Sequence, residues 1–364
     1  VRPTRIGAGP ARAAPRAGVL VLGAVVGGMG VFGIAGPGRA AGQELDPFDP
    51  APPAPDPPTA ELWREVRSPG WLRSRVLLRQ GRERLATAGR AQVFGRNESF
   101  VQAHFASACA RFERARGLAP TDPEATWYLA SCFQLLAQQR GDDGLRERAL
   151  ALFHRLRELD PDYLAELVAS RLALLHTHAG RFEAATAEHD RALRRSLDPT
   201  RDWTELANLA ESEMLTGALP RAVALYERSL ELAQRNGSDA TVGKDHLWVG
   251  VLSLWGLAVA LDRLGERGAA LERAEQAMGV GSGLAALRVL RDEQVFFEPR
   301  EEVYWYEALG FEALARRDPE RAAEHREEAR LRWYRYLRAG GDDSPWAALA
   351  RWHIARLEDD EPEP

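Results

Sequence analysis

Lysine is almost missing from this chain of 364 residues; Lys244 is the only one. Cysteine is nearly as scarce, with two, Cys109 and Cys132. Neither lies in CxxC or CxxCH spacing, which excludes a zinc ribbon, a thioredoxin-like motif and a covalent haem attachment. A disulfide-dense scaffold is excluded by number alone. No run has the strict alternation of a half-buried strand. No GxSxG, HExxH, P-loop or GxGxxG stretch stands in its proper context. A basic stripe for nucleic acid is also missing, because the formal charge is -5 and arginine is interleaved with glutamate, as in residues 321–332. That mixture reads as a solvated helix face with ion pairs one turn apart.

The histidines offer no metal constellation. His176 and His178 are two apart and so lie on different faces of a helix. Glu324-His325 and Arg351-Trp352-His353 sit on charged helices, and convergent ligand spacing is missing. Neither residues 94–98 nor 281–300 holds a catalytic cluster. The expectation is no catalytic residue, no metal and no cofactor: not an enzyme. Hydrophobic residues at 45% and charged residues at 28% fit a folded chain rather than a disordered one.

The first residues read as a targeting segment. Arg2, Arg5, Arg12 and Arg16 precede an apolar run over residues 17–35, and small residues follow at 38–43. A basic leader, an apolar run and a small-residue exit make a secretory signal peptide. The run is also just long enough for an uncleaved membrane anchor. Either way the excess of arginines ahead of it sends the body out of the cytoplasm. The expected location is the periplasm or cell envelope, with residues 1–42 as signal peptide or anchor. No lipobox cysteine follows the run. Residues 43–58 are a proline-rich linker, extended and semi-rigid.

The rest of the pattern is helical. Apolar residues recur at three and four, as in Leu206, Leu209, Ala210 and Met214, and in Leu254, Leu257, Ala258 and Leu261. Breakers such as Thr121-Asp122-Pro123, Gly180, Asp198-Pro199, Gly217, Gly265 and Asp318-Pro319 cut the pattern into helices of about ten to sixteen residues. One spacing then repeats. Leu172-Ala173, Gly180, Ala185 and Ala192 follow it. So do Leu209-Ala210, Gly217, Ala222, Tyr226 and Ser229; Leu257-Ala258, Gly265, Ala270, Ala274 and Ala277; and Leu309-Gly310, Ala322 and Ala329. Ala108, Phe112, Ala115 and Pro120, then Leu129-Ala130, Phe133, Ala149, Phe153 and Pro161, keep parts of it. Small residues at these positions let two helices approach, and glycine in the turn accepts positive φ.

These residues resemble the tetratricopeptide repeat, a helix-turn-helix unit of about 34 residues. The signature first-helix tryptophan and tyrosine are mostly missing, and the spacers vary. The resemblance implies an all-α fold, a right-handed superhelical solenoid of antiparallel helix hairpins. Residues 59–94 would cap the array at its N-terminal end, residues 95–340 would form it, and residues 341–357 would be a C-terminal capping helix ahead of an acidic disordered tail, 358–364. Residues 281–298 interrupt the array. There, a short helix is predicted over 284–291 and an extended apolar stretch at Val295-Phe296-Phe297, read first as a long connection packed into the solenoid and second as a lid or partner contact. Tyr304, Trp305 and Tyr306 with Trp333, Tyr334 and Tyr336 read as an interhelical core. Cys109 and Cys132 fall on helices of adjacent hairpins; a disulfide is permitted outside the cytoplasm, and two small buried thiols are the simpler expectation.

By the same resemblance, the first helix of each hairpin lines a concave groove. That places Trp127 and Gln134, Ser170 and His178, Glu211 and Met214, Trp255 and Asp262, and Tyr304 and Phe311 on a protein-binding surface. The implied function is a non-catalytic interaction scaffold outside the cytoplasm that holds a peptide or protein segment. A structural role through self-association of solenoids is the alternative, and an accessory array of an enzyme a third. No nucleic-acid partner is expected, and membrane contact only through the N-terminal anchor.

Overall fold

The structure is a computed structural model describing Trp63, Val66 and residues 69–93, 97–236, 245–279, 287–291 and 295–359. The leader, the linker and the last five residues lie outside the described residues. Thirteen α-helices are described and no strand among these residues. They are α1 (Trp71–Val93), α2 (Glu98–Leu118), α3 (Pro123–Arg140), α4 (Asp143–Leu159), α5 (Ala165–Thr177), α6 (Phe182–Arg195) and α7 (Trp203–Leu215). Then follow α8 (Leu219–Asn236), α9 (Asp245–Arg263), α10 (Arg267–Gly279), α11 (Glu302–Arg317), α12 (Ala322–Ala339) and α13 (Ala347–Glu358). No described helix is long and apolar enough to cross a membrane. Helices α1, α2 and α9 run to 23, 21 and 19 residues, longer than the breakers in the sequence suggested.

The helices pack as successive hairpins: α1–α2, α3–α4, α5–α6, α7–α8, α9–α10 and α11–α12, each laid against the next, with α13 on the end. The chain is an all-α solenoid. Helix α1 gives the Ala108–Phe112 region its hairpin partner, and Phe112 packs where a Cβ on Gly81 would stand 2.3 Å from its ring.

Local chemistry sets the ends. Asp122 caps α3 by accepting from the Glu124 amide at 3.0 Å, with Pro123 at the first helical position. Asp142 caps α4 through the Leu145 amide at 3.1 Å. Three hairpin turns use the same device: Gly180, Gly217 and Gly265 hold φ of 67°, 87° and 89°, a left-handed conformation that costs a side chain about 1–2 kcal/mol. The small residues of the repeat are buried where helices cross, including Ala173, Ala185, Ala210, Ala222, Ala258 and Ala270. The apolar core forms one body over α1–α5 and another from Ala210 to Ile354, with a smaller cluster around Trp203.

Two features depart from the sequence expectation. Cys109 on α2 and Cys132 on α3 are joined by a disulfide, with Cα atoms 5.6 Å apart. Two adjacent hairpins bring them within bridging range, which linear spacing did not reveal.

The second departure is the sense of the last hairpin. In a regular array each new first helix runs parallel to the previous one. Between α9 and α11, however, Arg263 meets Glu302, Asp262 meets Trp305, and Trp255 meets Gly310. The numbers run in opposite directions, so α11 is antiparallel to α9. Consistently, Arg267 meets Glu312 and Glu275 meets Arg316, so α11 runs parallel to α10. The unit at Leu309-Gly310 keeps the repeat's spacing but enters reversed. Helix α11 therefore starts at the turn end of the α9–α10 hairpin, beside Arg263.

Candidate functional site: the first-helix layer

First helices of neighbouring hairpins touch directly: α1 with α3, α7 with α9, and α9 with α11. The array therefore has an inner layer made of first helices, and the residues singled out in the sequence are distributed along it.

In the N-terminal half, Trp127 is fully buried, its ring centroid 5.5 Å from that of Phe153, and Gln134 is buried beside it on α3. Ser170 on α5 is half-buried and donates to Glu205 at 2.9 Å. The same Glu205 receives His189 Nδ1 at 2.7 Å. His178 follows α5, and its carbonyl accepts from Arg146 at 2.8 Å. Burial first, and then the Arg146 charge, push the His178 imidazole down to about 3. It is a neutral ring at any physiological pH.

In the C-terminal half, Met214 and Trp255 are core side chains. Phe311 is buried under the Arg332 guanidinium, 5.2 Å from its centroid. Tyr304 is half-buried with Arg291 5.3 Å over its ring. Asp262 accepts from Trp305 Nε1 at 3.1 Å and faces His353 Nε2 at 3.2 Å. Glu211 is a buried acid of a different kind: burial, then the Glu302 charge, push its carboxyl up to about 8 against the pull of Arg263. The structure thus gathers Glu211, Asp262 and Trp255 around the α7–α9–α11 contact. Trp127 and Gln134 stay apart from them.

Sequence reasoning missed the polar groups that share this layer. Asn208 is 2% exposed, yet among the described residues neither its Oδ1 nor its Nδ2 has a hydrogen-bond partner. Ser212 is buried and equally unpartnered. Asn208, Glu211 and Ser212 stand at i, i+3 and i+4, one face of α7. The indole N–H groups of Trp127 and Trp255 and the Ser131 hydroxyl, all on first helices, are unpartnered too. Nearly all buried polar groups in proteins find partners; second helices carry such atoms too, among them His104, Thr186 and His189, so it is the grouping of Asn208 and Ser212 on one face of α7 that is informative. The spacing on α7 was the available clue; polar residues inside an apolar stripe of a repeat are easily read as surface.

Also missed was a buried ionic knot that closes the array. Glu312 accepts from Trp333 Nε1 at 2.8 Å, from Arg356 at 2.8 Å and from Arg267, and it faces His353 Nδ1 at 2.9 Å. Burial opposes a charge on His353, but Glu312 and Asp262 outweigh it and hold the imidazolium up to about 9. The knot ties α13 to α9, α10, α11 and α12. Its carboxylates and the His353 imidazole are all partnered. The aromatic group around it is core at Trp305, Tyr306, Trp333 and Tyr336, while Tyr334 points out, 48% exposed.

No family model and no curated protein matches the chain. Among solved structures it is similar to the crystal structure of MamA protein, at 14% identity and a TM-score of 0.40, over 57% of this chain and 94% of that one. Likeness of that degree carries no functional argument.

Proposed function

We propose that this chain is a non-catalytic interaction scaffold of the tetratricopeptide type, held outside the cytoplasm, whose inner layer binds an extended segment of another protein. The observation that carries this reading is the polar face of α7, where the Asn208 amide and the Ser212 hydroxyl have no hydrogen-bond partner among the described residues. An amide that offers both a donor and an acceptor matches the peptide bond, which needs one of each. An extended chain presents such bonds at regular intervals, and stacked first helices meet it at successive points. Ser170 and Tyr304, being only half-buried, are the positions a ligand meets first.

The disulfide supports the compartment. Such bridges persist in oxidising environments and are rare in the cytoplasm, in keeping with the leader in the sequence. Thiol alkylation of the protein taken directly from its host tests this: a bridged pair is expected, and free Cys109 and Cys132 would contradict it. Binding is tested by placing a photo-crosslinking residue at Ser170 or Tyr304 on the inner layer, and at Arg228 on a second helix. Crosslinks to a discrete partner from the first two positions are expected. Crosslinks from Arg228 alone, or only to second copies of the chain, would contradict the reading, the latter in favour of assembly by self-association.

A further inference from the structure

The connection between α10 and α11 does more than reverse the last hairpin. Leu287 lies against the first-helix layer, its Cδ2 2.3 Å from where a Cβ on Gly310 would stand, with Trp255 at 3.0 Å from the same point. Val289–Arg291 form a 3-10 turn, and Arg291 holds Glu307 through two hydrogen bonds of 2.6 and 2.8 Å. Val295, Phe296 and Phe297 are then in neither helix nor strand. Phe297 is buried, its ring 5.0 Å from Tyr306 on the sixth hairpin. The next ring back, Phe296, sits 4.4 Å from His178 on the third hairpin, 118 residues earlier in the chain. Glu298 is partly buried, its carboxyl under the charge of Arg300 in its own segment and, more weakly, of Arg146 on the second hairpin, the arginine that holds the His178 carbonyl.

Three consecutive residues therefore join hairpins that are not neighbours in the array. The bond type matters as much as the place. Among the described residues, the backbone of Val295, Phe296 and Phe297 makes no hydrogen bond. The stretch is held by its side chains: Val295 and Phe297 in the core, Phe296 on His178, and the Glu298 carboxylate. It is attached as a bound peptide would be, by side-chain anchors along a main chain in neither helix nor strand, except that it belongs to the same molecule.

We propose that residues 295–299, Val-Phe-Phe-Glu-Pro, are a strap that occupies the first-helix layer as an internal ligand, and that an incoming segment of like chemistry, two bulky aromatic residues followed by an acid, displaces it. The proposal rests on the inner-layer binding reading above and adds to it the kind of segment taken and the device that restrains access. The anchors state the preference. Neutral His178 and Tyr306 offer ring faces to aromatic side chains, and Arg146 offers its charge to a carboxylate beyond them.

The test uses the full chain and a labelled peptide of residues 295–301 as probe, read by fluorescence anisotropy. Phe296→Ala removes the ring on His178. Glu298→Arg sets a like charge beside Arg146, and gives a second variant should the first disturb packing. Melting temperature and circular dichroism establish that each remains folded. Both variants should bind the probe about tenfold more tightly than the unaltered chain, because a site free about a tenth of the time shows a tenth of its intrinsic affinity. A probe with both phenylalanines replaced by serine should bind none of them. Equal affinity for all three chains, or no binding to any, would overturn the strap. Neither outcome touches the crosslinks from Ser170 and Tyr304, by which the binding reading stands or falls separately.

Discussion

Glu211 shows what a single buried side chain reveals about the layer it stands in. Its folded pKa is raised from 4.5 to about 8, so the folded state prefers the protonated acid. Below about pH 4.5 the group is protonated folded or unfolded and contributes no difference. As pH rises from there towards 8, stability falls by on the order of 1.4 kcal/mol for each pH unit, because the unfolded chain ionises and the folded chain does not. Glu211→Gln should therefore leave the melting temperature unchanged at pH 4 and raise it at pH 8. Equal melting temperatures of variant and parent at pH 8 would show that the carboxylate is solvated. Gly256 makes an opposite kind of point. A Cβ there would stand 2.3 Å from the Tyr226 ring, which is itself buried in the core and cannot move aside cheaply. Gly256→Ala should destabilise by roughly 1–3 kcal/mol, the usual cost of overpacking, measured by urea unfolding; an unchanged midpoint would mean that Tyr226 has room to yield.

Among the elements, α13 depends most on chemistry the sequence did not advertise. His353 is its anchor, and the raised pKa of about 9 means that its contribution is fully present below about pH 6.5 and is lost as pH rises through 9. His353→Gln should lower stability most at pH 6 and flatten the decline between pH 6.5 and 9 in thermal melts. A parallel decline in variant and parent would detach that loss from the knot. The hairpins themselves were legible because one small-residue spacing recurs and glycine marks the turns at 180, 217 and 265, both local features. The reversal of α11 was not legible. The spacing at Leu309-Gly310 is the same whichever way the helix runs, and only pairs far apart in sequence, such as Asp262 with Trp305, carry direction. The candidate site was half legible for the same reason. The repeat resemblance placed Glu211 and Asp262 on first helices, where the structure has them, whereas Asn208 became visible only once no partner for it was found among the described residues.

At the scale of the molecule, the parts differ in how they are fastened. The first two hairpins are bridged covalently by Cys109–Cys132, the last is tied by the Glu312–His353 knot, and the strap reaches from the sixth hairpin to the second and third. Closing a loop of 23 residues stabilises a fold by roughly 3 kcal/mol. Replacing both cysteines by serine should cost about that much in urea unfolding and leave the far-ultraviolet spectrum of the folded chain unchanged. An array so fastened keeps its inner layer in a fixed shape, and a fixed shape lowers the entropy cost of ordering a bound segment. Everything functional depends on that layer being the binding face. The most direct test is the affinity of the crosslinked partner for Asn208→Ala in a chain that melts like the parent. A loss of about tenfold or more is expected, because a bound peptide bond would lose both its partners; an undiminished affinity would contradict the inner layer as the binding face.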